Sequence, residues 1–282
     1  MMTTTLATPT STGARPSVET DRQTFGRAVR SEWTKMSTLR STWIGMAATI
    51  LILTGFGVLA AAMSSDATEA AAGGPSFDMG TDPLATVLTG ATLAMLLVGV
   101  LGCLAGAREY GSRMMTVTVA AVPRRWQIVG SKALVLAATV LPTTLLGVFG
   151  AYWAGMVVLS ANGSATVGLS VSTLETLLGM AGYLTAVALI GLGLGVMLRS
   201  AAASIGVLAA LLLVVPAVAS GILPDSWDAV LRFLPSNAAA SFTAITSTAT
   251  DVLGSGAGVA VVIAWVAAAL AAAVWTITRR DV

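Results

Sequence analysis

The residues best equipped for chemistry crowd into "REYGSRMMTVTVAAVPRRWQIVGSK", residues 108–132. Arg108, Glu109, Tyr110, Ser112, Arg113, Arg124, Arg125 and Lys132 offer charge and hydrogen bonds, while Met114 and Met115 offer apolar contact. Histidine is absent from the chain, which removes the usual metal ligand and the usual proton carrier near neutral pH. The single cysteine, Cys103, lies in the apolar run "VGVLGCLAGA"; alone it makes neither an internal disulfide nor a thiolate cluster, and it reads as a small hydrophobe. No catalytic or metal-ligating set can be drawn from these types. What they offer is charge-assisted contact to a protein surface or to phosphate headgroups.

Nucleotide chemistry is also missing. There is no G-x-x-x-x-G-K-[ST], and "VGSKA" around Lys132 lacks the spacing that cradles phosphates. "GLGLG", with Gly191, Gly193 and Gly195, lies inside an apolar run with no strand before it. Gly191 and Gly195, like Gly102 and Gly106, are four residues apart, the spacing that lets two helices cross closely in lipid.

The elements that must position the insert are apolar. Of 282 residues 56% are hydrophobic and 10% charged, whereas soluble domains carry about a quarter charged residues. A helix needs about 20 apolar residues to cross the hydrocarbon core. Six segments qualify: residues 43–62, 84–107, 133–159, 174–198, 201–222 and 258–277. The expected fold is an all-α membrane protein, with a disordered leader at 1–19, an interfacial helix at 20–41 and a membrane domain at 42–282. The first apolar run starts too far into the chain to read as a cleavable signal.

With six spans both termini share a side. Arg15, Arg22, Arg27, Arg30, Lys35, Arg40, Arg108, Arg113, Arg124, Arg125, Lys132, Arg199, Arg279 and Arg280 fall on that side, and Arg232 is the exception. The positive-inside rule then places both termini and the insert in the cytoplasm. The span middles carry essentially no ionisable residue, Glu175 lying at the outer end of the fourth. An ion-coupled carrier needs such groups at membrane depth, and an intramembrane metalloprotease needs ligands and a base there. Any work done by the chain therefore draws energy from outside the membrane.

Ahead of the first span, Phe25, Val29, Trp33, Met36, Leu39 and Trp43 recur on one helical face, with Arg27, Arg30, Ser31, Thr34 and Lys35 mainly on the other. This predicts an amphipathic helix lying on lipid, with a bend in the cluster from Ser37 to Thr42. Within the insert, residues 109–121 can form a short helix that Pro123 stops. Two readings stand at this point: a basic loop that only sets topology, or a lever from a soluble partner to the second and third spans.

The stretch "EYGSRMMTVTVAAVPRRWQIVGSKAL" resembles the segment between spans two and three in permease subunits of ATP-binding-cassette exporters of the type-2 family, through Glu109, Tyr110, Ser112, Met114, Ala121, Val122, Pro123, Arg124, Arg125 and Lys132. "SEWTKMSTLRSTW", "GLGLGVMLRS", "LPSNAAASF" and "RRDV" extend the likeness over nearly the whole chain after the leader. The resemblance implies a non-catalytic bacterial cell-membrane subunit that exports a hydrophobic or amphipathic substrate such as a drug, lipid or peptide. It implies a cytoplasmic ATPase dimer, which would bind the ATP and magnesium, and a second permease copy, with no cofactor in this chain and no nucleic acid. Phe25, Val29, Arg30, Trp33, Lys35 and Met36 would belong to a connecting helix. Residues 108–122, followed by Pro123, Arg124 and Arg125, would form the coupling helix. Trp227, Leu231, Leu234, Pro235, Asn237 and Phe242 would belong to short re-entrant extracellular helices between spans five and six. Arg113 departs from the family, which commonly has glycine there. The alternative from another class is a non-transporting structural or sensory membrane protein; a secondary carrier fits the uncharged spans least.

Overall fold

A computed structural model describes residues 24–64, 82–111, 126–222, 224–244 and 253–279. The described residues form helices joined by turns and loops, with no strand among them. They comprise α1 (Phe25–Thr38), α2 (Arg40–Met63), α3 (Pro83–Val87), α4 (Ala91–Gly111), α5 (Trp126–Ala161), α6 (Val171–Leu198), α7 (Ala201–Ala209), a π turn (Ala210–Val214), α8 (Val215–Ile222), a 3-10 turn (Asp225–Trp227), α9 (Asp228–Leu231), α10 (Pro235–Ala240) and α11 (Ser255–Arg279). Among the described residues six helices are long and apolar enough to cross a membrane, the fifth running from Ala201 to Ala219 through the π turn. An apolar run of about 20 residues is the length at which a helix, with every backbone bond inside its own segment, crosses hydrocarbon.

Two boundaries differ from those expected. The run at 84–107 is broken: Asp82 accepts from the Leu84 amide at 3.0 Å and Pro83 takes the first helical position, starting α3, which ends before the Leu88–Gly90 turn into α4. The run at 133–159 is longer than expected. At 36 residues α5 is about 54 Å long, well beyond an hydrocarbon core of about 30 Å. Its first two turns carry buried Gln127, Ser131 and Lys132, and Lys132 pairs with Glu32 of α1.

The central helix is α6, packed on α4, α5, α7 and α11. Of its apolar window 72% is buried within the protein, against 17% for α11, which therefore faces outward along most of its length. The seam between α4 and α6 is built from the glycines singled out by their spacing. A Cβ at Gly191 would lie 2.6 Å from the Gly99 carbonyl oxygen, and one at Gly195 would lie 3.1 Å from the Gly106 Cα. Cβ atoms at Gly102 and Gly106 would overlap the carbonyls of Ala188 and Leu192. Close approach of this kind replaces a hydrophobic driving force that lipid does not supply. Across the α5–α6 seam, Thr144 donates to the Ala181 carbonyl at 3.2 Å.

Helix ends show which parts share an end of the bundle. Ile128 and Val129 of α5 cluster with Val196 of α6 and with Ala273 and Ile277 of α11. The two-residue α6–α7 link lies at that end too. Arg199 adopts a left-handed conformation there (φ 53°), and the Ser200 hydroxyl caps α7 by accepting from the Ala203 amide at 3.4 Å. Among the described residues, the cations of α1, Arg40, Arg108, Lys132, Arg199 and Arg279 thus gather at one end, and Arg232 stands at the other.

Candidate functional site: the α1 platform

At the basic end, α1 stops at Thr38, Leu39 is extended (φ −81°, ψ 110°), and α2 starts at Arg40. The bend expected from Ser37 to Thr42 is present. The Ser37 and Thr38 hydroxyls donate back to the Thr34 carbonyl, at 3.1 and 2.8 Å, competing for an acceptor at the helix end. The Trp43 indole N–H crosses the elbow to the Ser37 carbonyl at 2.9 Å.

The apolar stripe of α1 is divided. Phe25 stacks on Trp126 of α5, ring centroids 5.9 Å apart, and Met36 packs beside Val98, Leu136 and Val140. Val29 is half-buried, while Trp33, Leu39 and Trp43 are exposed. The buried centre of the helix is Ala28 and Glu32, one turn apart, facing α5 rather than lipid. Arg30 and Lys35 are exposed.

Glu32 is the residue that sequence reasoning missed. Its Oε2 accepts from Lys132 Nζ at 2.8 Å and its Oε1 from Lys35 Nζ at 2.9 Å, and the Glu32 and Lys132 side chains are only 10% and 8% exposed. Taking two charges out of water costs several kcal/mol each unless both are closely paired. The carboxylate meets one ammonium at each oxygen, which supplies that pairing. The spacing of Glu32 and Lys35 was visible in sequence; the partner 100 residues away was not. Nearby, Arg108 at the end of α4 donates to the Ser41 hydroxyl at 3.0 Å, tying α4 to the start of α2.

The insert itself is described only at its edges. Glu109 and Tyr110 lie in the last turn of α4, their side chains outside the described residues, as are Ser112, Arg113, Met114, Met115, Pro123, Arg124 and Arg125 entirely. On either side of residues 112–125, Arg108 bonds to Ser41 at the start of α2 and Trp126 stacks on Phe25 of α1.

At the opposite end, the segment between α8 and α11 forms short helices where they were expected. Leu231 and Pro235 are buried, Leu234 precedes α10 as its extended cap, and Trp227 is half exposed. Asn237 is buried and its side-chain amide donates to the Leu231 carbonyl at 3.0 Å. The Trp265 indole donates to the Phe233 carbonyl at 2.9 Å. Trp265 lies ten residues along α11 from Ser255, about 15 Å by helical rise, so the α9–α10 turn sits well down the side of α11. From there α10 returns to Gly258, which packs on Ala238 and Ser241, and Phe242 packs on Gly179 of α6.

Among the described residues no three of His, Cys, Asp and Glu come together as a metal site. No known family model matches this chain, and no curated protein matches it either.

Proposed function

We infer that this chain is the membrane-spanning permease subunit of an ATP-driven exporter, carrying a hydrophobic or amphipathic substrate out of a bacterial cell. In this reading a cytoplasmic ATPase dimer binds ATP and magnesium, a second permease copy completes the path, and α1 is the connecting helix. Residues 108–122 form the coupling helix, and α9 and α10 are the re-entrant elements at the exit. The observation that carries the reading is the platform at the basic end, where α1, the α2 start, the end of α4 and the base of α5 are tied together around both ends of the 112–125 segment. A force applied to that segment would reach two spans and the N-terminal helix at once. The position of the α9–α10 turn beside Trp265 supports the re-entrant assignment.

The test is co-purification with the ATPase subunit expressed alongside. Reversing Arg124 and Arg125 to glutamate is expected to lower the ATPase retained several-fold while the permease stays in the membrane. Unchanged retention and unchanged transport would remove those arginines from the coupling surface. A wild-type chain that retains no ATPase would favour the structural or sensory alternative.

A further inference from the structure

The elbow between α1 and α2 leaves a groove of about 270 Å³ against the middle of α5, lined by Trp33 and Met36, by Trp43 and Met46, and by Ala138 and Pro142. No acid lines it, and Glu32, next to Trp33 in sequence, has its two oxygens on Lys35 and Lys132. Two cations border it. Arg30 precedes Trp33 by three residues on α1, and Arg40 precedes Trp43 by three on α2, so each lies about one turn away on nearly the same helical face. Both are exposed, and neither has an ion pair or a side-chain hydrogen bond with a described residue; the Trp33 indole N–H likewise has no acceptor among them.

The cations and the apolar walls are ordered along the bundle. Phe25 stacks on Trp126 while Met36 adjoins Leu136 and Val140, so α1 runs in the direction of α5. A Cβ at Gly147 would meet Leu53 and one at Gly57 would meet Ala151, so α2 does the same. Arg30 and Arg40 therefore stand on the basic-end side of their indoles. At 24 residues α2 is about 36 Å long against a hydrocarbon core of about 30 Å, which puts its first turn among headgroups and Trp43 at the boundary where indoles settle. Leu39 gives α2 no side-chain cap, and phosphate is an anion that a helix N-terminus favours.

We propose that the groove holds one anionic phospholipid of the leaflet at the basic end, its phosphate met by Arg30 and Arg40 and an acyl chain lying along Trp33, Trp43 and Pro142. A zwitterionic lipid offers the same chain but brings its own cation to the two arginines, so the charge selects the anionic one. The lipid fills the concave side of an elbow whose two helices share little contact of their own. The site depends on the membrane setting and not on the exporter reading.

Photolabelling of the full chain in phosphatidylcholine vesicles tests it. The probe is a trace of phosphatidylglycerol or of phosphatidylcholine carrying a diazirine in one acyl chain, and labelled residues are mapped by mass spectrometry. The phosphatidylglycerol probe is expected to label residues 33–46 and 138–143 several-fold more than the phosphatidylcholine probe. Arg30→Gln with Arg40→Gln is expected to remove that preference, whereas Arg279→Gln with Arg280→Gln, an equal loss of charge, is expected to keep it. Ala138→Phe, which fills the groove and leaves every cation, is expected to lower labelling by the phosphatidylglycerol probe several-fold. Equal labelling of the wild-type chain by the two probes overturns the proposal whatever the variants do. So does a preference that survives loss of Arg30 and Arg40, or one that falls equally with Arg279 and Arg280 and thus reflects net charge alone. Labelling that ignores Ala138→Phe would put the lipid outside the groove and would also overturn it. A groove that neither probe labels would be covered by protein, such as a second copy of the chain, with the same consequence.

Discussion

Single side chains decide more at the seams of this protein than at its surface. Gly102→Ala would set a methyl group against the Ala188 carbonyl, part of a backbone that cannot rotate aside. Overpacking of this kind costs about 1–3 kcal/mol. The expected result is a lowered melting temperature of the detergent-solubilised protein. Gly206→Ala, where a Cβ would meet nothing within 4 Å, is the matched control and is expected to melt unchanged or slightly higher. Asn237→Leu would remove one of two donors to the Leu231 carbonyl, which keeps the Leu234 amide at 3.0 Å, a loss of about 0.5–1.5 kcal/mol. A melting temperature equal to wild type would show that the α9–α10 turn holds without the Asn237 side chain.

Among the elements, the fifth span shows how one residue sets helix geometry. Pro216 has no amide proton and its ring crowds the carbonyl four residues earlier, that of Leu212. The chain responds by widening the preceding turn: Ala210–Val214 is a π turn, and the Val215 amide donates to the carbonyl of Ala210. Pro216→Ala restores a donor for Leu212. Slower amide hydrogen exchange across 210–216 is expected, measured by mass spectrometry. Exchange as fast as in wild type would mean that packing around buried Leu212, not proline, holds the turn open. At the other extreme, α5 accommodates Pro142 within an unbroken 36-residue helix, supported by α2 and α6 along its length.

For the molecule as a whole, the basic end and the α9–α10 end are opposite faces of one bundle. By the positive-inside rule the distribution of cations would put the basic end in the cytoplasm and the α9–α10 end outside. In a Cys103→Ala background, a membrane-impermeant thiol reagent applied to intact cells is expected to label Ala165→Cys and Ser226→Cys, both exposed. Arg30→Cys and Ala202→Cys, exposed at the basic end, should be labelled only after the cells are opened. The reverse pattern would invert the protein and place the α1 platform outside.

Hydropathy, glycine spacing and cation distribution were local properties, and they were enough for six spans, the paired sets Gly102/Gly106 and Gly191/Gly195, and the elbow near Leu39. They stood in the sequence because each depends on residues a turn or a span apart. Glu32 was different: along the chain it is one acid in a basic amphipathic helix, and its meaning depends on Lys132, 100 residues away. The same holds for Trp265 and Phe233, and for α1 packing on α5 in preference to its neighbour α2. Sequence by itself pointed to a bundle of membrane-crossing helices, because an apolar run of about 20 residues can satisfy its backbone amides within one segment only as a helix. Tertiary structure alone decided which helix holds which, because a buried charge is stable only where another segment brings its counter-charge within contact distance.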